Sequence, residues 1–155
     1  PFRERGRRMD EGIAMMLAVW GEDPVSFPAR HIPAVIEEMR MLPQPVKPIP
    51  IWIGGSSEPA LARALRLDGW HGSRLSPQEA MPIVRRLRDK RPEPEFTISL
   101  RSNWDGKDEA ELGARLAAYR EAGIGHVLVE PAERALGDWL RAVERVAHAA
   151  EGVQK

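Results

Sequence analysis

Apolar residues at Met9, Ile13, Met16, Leu17 and Trp20 recur at intervals of three and four, which predicts an amphipathic helix from Glu4 to Trp20. The next stretch carries Pro24, Pro28, Pro33, Pro43, Pro45, Pro48 and Pro50. Prolines at that density remove the amide donors that a long helix or a central strand needs, so residues 21–50 are predicted to be a long ordered loop with one short helix near Ala34 to Met41. After Pro50 the pattern changes: short apolar runs alternate with helical periodicity, four times over.

The first run, Ile51-Trp52-Ile53, stops at Gly54-Gly55, and a helix starts near Ser57 with Glu58 and Pro59 in its first turn. The second, Gly69 to Ser73, is weak in strand propensity, but Ser76-Pro77-Gln78-Glu79 after it is a capping box, and Met81, Val84 and Leu87 continue a helical face. The third, Phe96 to Leu100, alternates at period two, followed by an Asp105-Gly106 turn and a helix from about Asp108 to Ala122, with Gly123 as its stop. The fourth, His126 to Val129, precedes a last helix from about Leu136 to Ala150.

Strands separated by helices pair in parallel through right-handed crossovers. Four such units make either a small open sheet or half of an eight-fold barrel. An open sheet with helices on both faces needs nearly continuous apolar strands, and the Trp70–Ser73 and Phe96–Leu100 runs are too rich in small and polar residues for that. The pattern therefore favours an α/β fold of the barrel kind, with parallel strands and functional residues at their carboxyl ends.

Composition narrows the function classes. Lys plus Arg and Asp plus Glu number 23 each in 155 residues, so no broad field favours nucleic acid or an anionic membrane surface. The one local excess, Arg3, Arg5, Arg7 and Arg8, is a solvated helix start or a phosphate contact. The absence of cysteine rules out disulfides, thiolate zinc sites and cysteine nucleophiles. With no signal-peptide pattern and no apolar run of spanning length, a soluble protein of the reducing cytoplasm is expected. Pro1 opens directly into the helical pattern, which implies that further chain belongs upstream.

Four groups near strand ends carry candidate chemistry. Gly54-Gly55-Ser56-Ser57 combines close backbone approach with a helix start, which makes either a phosphate cradle or a plain tight turn capped by Ser57. His71, Ser73 and Arg74 follow Trp70, and His71 is either a hydrogen-bonded structural residue or an acid–base group. Ser99, Arg101 and Asn103 share one side of their strand, with Arg101 set to meet an anion or a carboxylate such as Glu130. Glu130 itself reads as an ion-pair or helix-start residue. No carboxylate pair has glycosidase spacing, no Gly-x-Ser-x-Gly elbow occurs, and the four histidines are too scattered in sequence for a metal site.

In order along the chain, Arg5-Gly6-Arg7-Arg8-Met9-Asp10-Glu11, Leu42-Pro43-Gln44-Pro45-Val46, Pro50-Ile51-Trp52-Ile53-Gly54-Gly55-Ser56, Asp68-Gly69-Trp70 and Ala122-Gly123-Ile124-Gly125-His126-Val127 resemble luciferase-like monooxygenases, nearest to the deazaflavin-dependent branch. The resemblance implies the carboxy-terminal half of a (β/α)8 TIM-type barrel, strands five to eight, forming a single luciferase-like fragment over residues 1–155. It implies an oxidoreductase that uses coenzyme F-420, or FMN as the alternative, on a small-molecule substrate. The cofactor's phosphate would lie at Gly54 to Ser57, with a second copy or an amino-terminal half as partner; the residues themselves add His71, Ser73 and Arg101 as candidate rim contacts, no metal, and no assigned catalytic group. A non-catalytic half-barrel module for phosphate binding or dimerisation, and a different barrel using sugar phosphates, are the competing expectations.

Overall fold

A computed structural model describes residues 4–153. Within the Arg3 to Arg8 cluster, Arg3 lies outside the described residues. The chain divides into two compact units, one ending at Ile49 and the other beginning at Pro50.

The first unit opens with helix α1, Arg5–Gly21, which buries Ile13 and Val19. Glu11 anchors the irregular chain beyond the helix: its carboxylate accepts the backbone N–H groups of Arg30, His31 and Ile32 at 2.6, 2.7 and 2.6 Å. Against the opposing cost of burial, those bonds hold the Glu11 carboxyl below its ordinary range. The side-chain amide of Gln44 donates to the carbonyls of Val19, Glu22 and Met41 and so ties the proline-rich return to the end of α1. Asp10-Glu11 and Leu42 to Val46, two of the stretches that carry the resemblance, thus contain residues that hold irregular chain in place.

The short helix expected near Ala34 to Met41 is not formed. That segment holds β2, Ile36–Met39, which pairs antiparallel with β1, Val25–Phe27. A two-stranded ribbon this short needs few backbone donors, so flanking prolines do not forbid it. The apolar spacing misleads because Val35 is 84% exposed and faces no core. Asp23 and Arg40, joined by two hydrogen bonds of 3.2 and 2.8 Å, bracket the ribbon.

The second unit is a parallel sheet in the order β3-β4-β5-β6, with strands Trp52–Gly54, Gly69–Ser73, Thr97–Trp104 and His126–Pro131. Helices α2 (Glu58–Ala64), α3 (Pro77–Lys90), α4 (Glu109–Glu121) and α5 (Leu136–Glu151) follow the strands in turn. The β5 strand runs past the expected Leu100 as far as Trp104. The capping box before α3 is formed: the Ser76 hydroxyl accepts the Glu79 N–H and the Glu79 carboxylate accepts the Ser76 N–H. Among the described residues no helix is long and apolar enough to cross a membrane.

The strand register sorts the side chains. Trp70 pairs with Ile98, and Gly72 with Leu100 and Val127. These point to one face, where Trp70, Ile98 and Leu100 join Leu61, Val84, Leu87, Phe96 and Tyr119 in the principal core. A second cluster, Trp104, Leu112, Leu116 and Ala142, continues that side beneath α4 and α5. All the core packing of the sheet is thus on the helix-bearing face.

Candidate functional site

Alternate residues of the same strands make the other face. Trp52, Gly69 and Thr97 form its first row, Gly54, His71, Ser99 and His126 its second, Ser73, Arg101 and Leu128 its third, and Asn103 and Glu130 its fourth. None of these residues belongs to either core cluster. The face is mostly polar, and its largest aliphatic side chain, Leu128, is 47% exposed. Trp52 meets His126 edge-on, with ring centroids 5.4 Å apart, although they lie on the two outermost strands. Three flat inter-strand spacings are about 14 Å, so the contact reflects a sheet curled towards this open side together with the reach of the indole.

Two glycines let the faces differ so sharply. A Cβ on Gly69 would stand 2.5 Å from the Thr97 carbonyl and 2.8 Å from the Trp52 ring. A Cβ on Gly72 would stand 2.5 Å from the Trp70 ring, on the opposite side. Each glycine therefore clears room for one tryptophan to lie down on its own face. Asp68 serves the same frame: its carboxylate accepts the Ile51 N–H at 2.8 Å at the start of β3, and its backbone carbonyl accepts that of Thr97 at 3.0 Å. The Asp68 to Gly72 stretch is thereby explained as scaffold, with His71 as its one outward functional group.

The Gly54–Ser57 loop leaves the end of β3. Gly55 sits at φ +101°, a conformation that a side chain would strain. Its carbonyl accepts the indole N–H of buried Trp70 at 2.8 Å. The 55–56 peptide is trans, so drawing the Gly55 carbonyl towards Trp70 turns the Ser56 N–H the opposite way. The amides of Ala60 and Leu61 both return to the Ser57 carbonyl, and Pro59 has none, so the donors that the loop can offer a ligand are those of residues 56 to 58. Ser57 is the residue before α2 and its hydroxyl makes no capping bond, while the tight turn of the alternative reading is present at Gly55. At seven residues, α2 has a weak end dipole, and the backbone donors are the substance of the site. Glu58 in the first turn is held by the Arg86 guanidinium, which also keeps its carboxyl below the ordinary range.

On the second row, the Ser99 hydroxyl lies between two imidazoles, 2.9 Å from His71 Nδ1 and 2.8 Å from His126 Nδ1. Ser99 is fully buried. His71 titrates below the ordinary histidine value because burial disfavours its cation, and Arg101 and His126 add to that. Arg101 faces Glu130 with Nε to Oε2 at 3.8 Å, and that Nε, shielded from solvent, has no hydrogen-bond acceptor. Among the described residues no group of three or more His, Cys, Asp or Glu is placed to hold a metal ion.

The open face thus brings Gly54, His71, Ser73 and Arg101 together. Ser56 and Ser57 lie in the loop beyond it, and Arg74 leaves the face in a left-handed turn at φ 57°. Two residues escaped the sequence reading: Trp70 as the organiser of the Gly55 loop, and His126 as the partner of His71 through Ser99. Only the parallel register of three strands aligns those two histidines, which lie 55 positions apart.

A family model described as luciferase-like monooxygenase matches residues 1–151. Two proteins described as uncharacterized, one from Mycobacterium tuberculosis and one from Mycobacterium bovis, are each 36% identical to this chain over 93 residues. The aligned stretch is 60% of this chain and 32% of each relative, so the chain matches about a third of their length.

Proposed function

This chain belongs to the luciferase-like monooxygenase family, and on that footing we propose that it is the carboxy-terminal half of a (β/α)8 barrel oxidoreductase whose Gly54–Ser57 loop holds a cofactor phosphate. Coenzyme F-420 is the cofactor on this reading, with reduced FMN as the alternative. The observation that carries the assignment is the Trp70 bond to the Gly55 carbonyl, which fixes the 55–56 peptide with the Ser56 N–H directed away from Trp70. A phosphate suits such a loop because its oxygens can accept several backbone donors at once. When bound, the cofactor supplies the hydride transfer or oxygen activation. The chain's own part is to anchor the phosphate at residues 56–58, present His71 and Arg101 to the ligand, and offer Trp52 as an apolar surface beside them.

Residues 1–155 form one luciferase-like fragment in this reading, and the open face is the lining of the barrel. Support comes from the curled sheet, from its two outer strands β3 and β6, and from Leu136, Trp139, Leu140 and Val143, an exposed apolar stripe at helical spacing along α5. A second copy or an amino-terminal half would cover them. The substrate is a small molecule, and the cysteine-free composition suits the cytoplasm.

Calorimetric titration with F-420, FMN and ribose 5-phosphate separates the readings. We expect F-420 or FMN to bind and the Gly55→Val variant to lose at least tenfold in affinity. Binding of ribose 5-phosphate alone would favour a sugar-phosphate barrel. A folded sample that binds none of the three would overturn the cofactor site in this chain and leave a dimerising module.

A further inference from the structure

We propose that His71, Ser99 and His126 form a proton relay across the open face, moving one proton between an N–H or O–H acid bound beside the Gly54 loop and solvent at His126. That a ligand occupies this face rests on the function proposed above; the relay's internal wiring does not.

The buried Ser99 hydroxyl has a single hydrogen and two imidazole nitrogens to satisfy, both Nδ1. It donates to one ring and accepts from the other. The two histidines must therefore hold opposite tautomers, because the hydrogen bond at one ring nitrogen decides which nitrogen carries the proton. In this chain on its own His126 is exposed, so its Nε2 keeps the N–H that imidazole side chains prefer in water. Ser99 then donates to His126 Nδ1 and accepts from His71 Nδ1–H. That leaves His71 Nε2 as a bare acceptor, on the strand position registered with Gly54.

One passage conserves every proton. The acid gives its proton to His71 Nε2, the His71 Nδ1 proton moves to Ser99 Oγ, the former Ser99 proton moves to His126 Nδ1, and His126 Nε2 releases its own to water. No electrons are transferred, and the reverse passage resets the chain. The surroundings favour passing a charge on over storing it at His71. Arg101 on β5 and His126 on β6 both face that imidazole, Glu130 on β6 is engaged with Arg101, and β3 contributes only uncharged Trp52 and Gly54.

Nitrogen NMR of the imidazole rings in the full chain, without cofactor, tests the relay. At neutral pH we expect His71 as the Nδ1–H tautomer and His126 as Nε2–H. A proton taken up at His126 Nδ1 must be donated to Ser99, whose hydroxyl then turns to His71 Nδ1, so that His71 should switch to the Nε2–H tautomer. In Ser99→Ala both rings should be Nε2–H at neutral pH, with no switch on acidification. A His71 that is Nε2–H in the parent at neutral pH, or that keeps its Nδ1–H tautomer once His126 Nδ1 carries a proton, overturns the proposal. Both parent outcomes are read without any variant and without cofactor, so failure of the relay and failure of cofactor binding are separate results.

Discussion

The two faces of the four-stranded sheet are built from alternate residues of the same strands, yet they obey opposite rules. Towards the helices, Trp70, Ile98 and Leu100 are 0, 1 and 0% exposed. One position away, His71 is half-buried and His126 and Leu128 are exposed, with a hydroxyl and two imidazoles satisfying one another. Burial of apolar area against helices stabilises the fold. The other face contributes little of that and, buried Ser99 apart, keeps its polar groups at least partly exposed. Because Gly69 and Gly72 serve opposite faces, the short β4 strand is where stability and candidate chemistry meet.

That contrast can be broken from either side. The largest effect should come from Trp70→Ala, which empties a fully buried site and releases the Gly55 carbonyl; a loss of about 3–5 kcal/mol is expected in urea denaturation. Gly69→Ala should cost roughly 1–3 kcal/mol by the same measurement, because its Cβ would press on strand backbone that cannot yield easily. Ser76→Ala removes the capping box of α3 and should cost about 1 kcal/mol, read as a shift in denaturation midpoint.

The pH dependence isolates one residue of the open face. His71 titrates lower when folded than unfolded, so its contribution to stability is complete above the ordinary histidine value of about 6.5. It is lost as pH falls through the lowered folded value. The stability of His71→Gln should accordingly fall less steeply than that of the parent across that acidic window. Smallest of all, His126→Ala should change stability by no more than about 0.5 kcal/mol. A loss comparable to that of Trp70→Ala would show that the open face is a second core.

Much of the second unit is legible in the sequence because period-two runs, glycine stops and a capping box are local signals. Ser76 to Glu79 is the clearest example, since four consecutive residues contain the whole device. The strand at Ile36–Met39 is illegible for the converse reason: its pairing with Val25–Phe27 depends on a turn and an ion pair between distant residues. The site divides in the same way. Gly54 to Ser57 stand out as a glycine pair before a helix, but the residue that orients their peptide is Trp70, fifteen positions beyond Gly55. His126 carries no local mark at all. It lies at the first position of β6, and only cross-strand register sets it beside Ser99.

Amide chemical-shift mapping of the folded chain during titration with F-420 and with FMN tests the central claim most directly. A cofactor held at the loop and open face predicts saturable changes concentrated at Ser56, Ser57 and Glu58 and along His71, Arg101 and His126, with residues of the helix-covered face, such as Ile98 and Leu100, unmoved. Saturable changes confined to the outer surfaces of α4 and α5, or binding that survives undiminished in Gly55→Val, would contradict it.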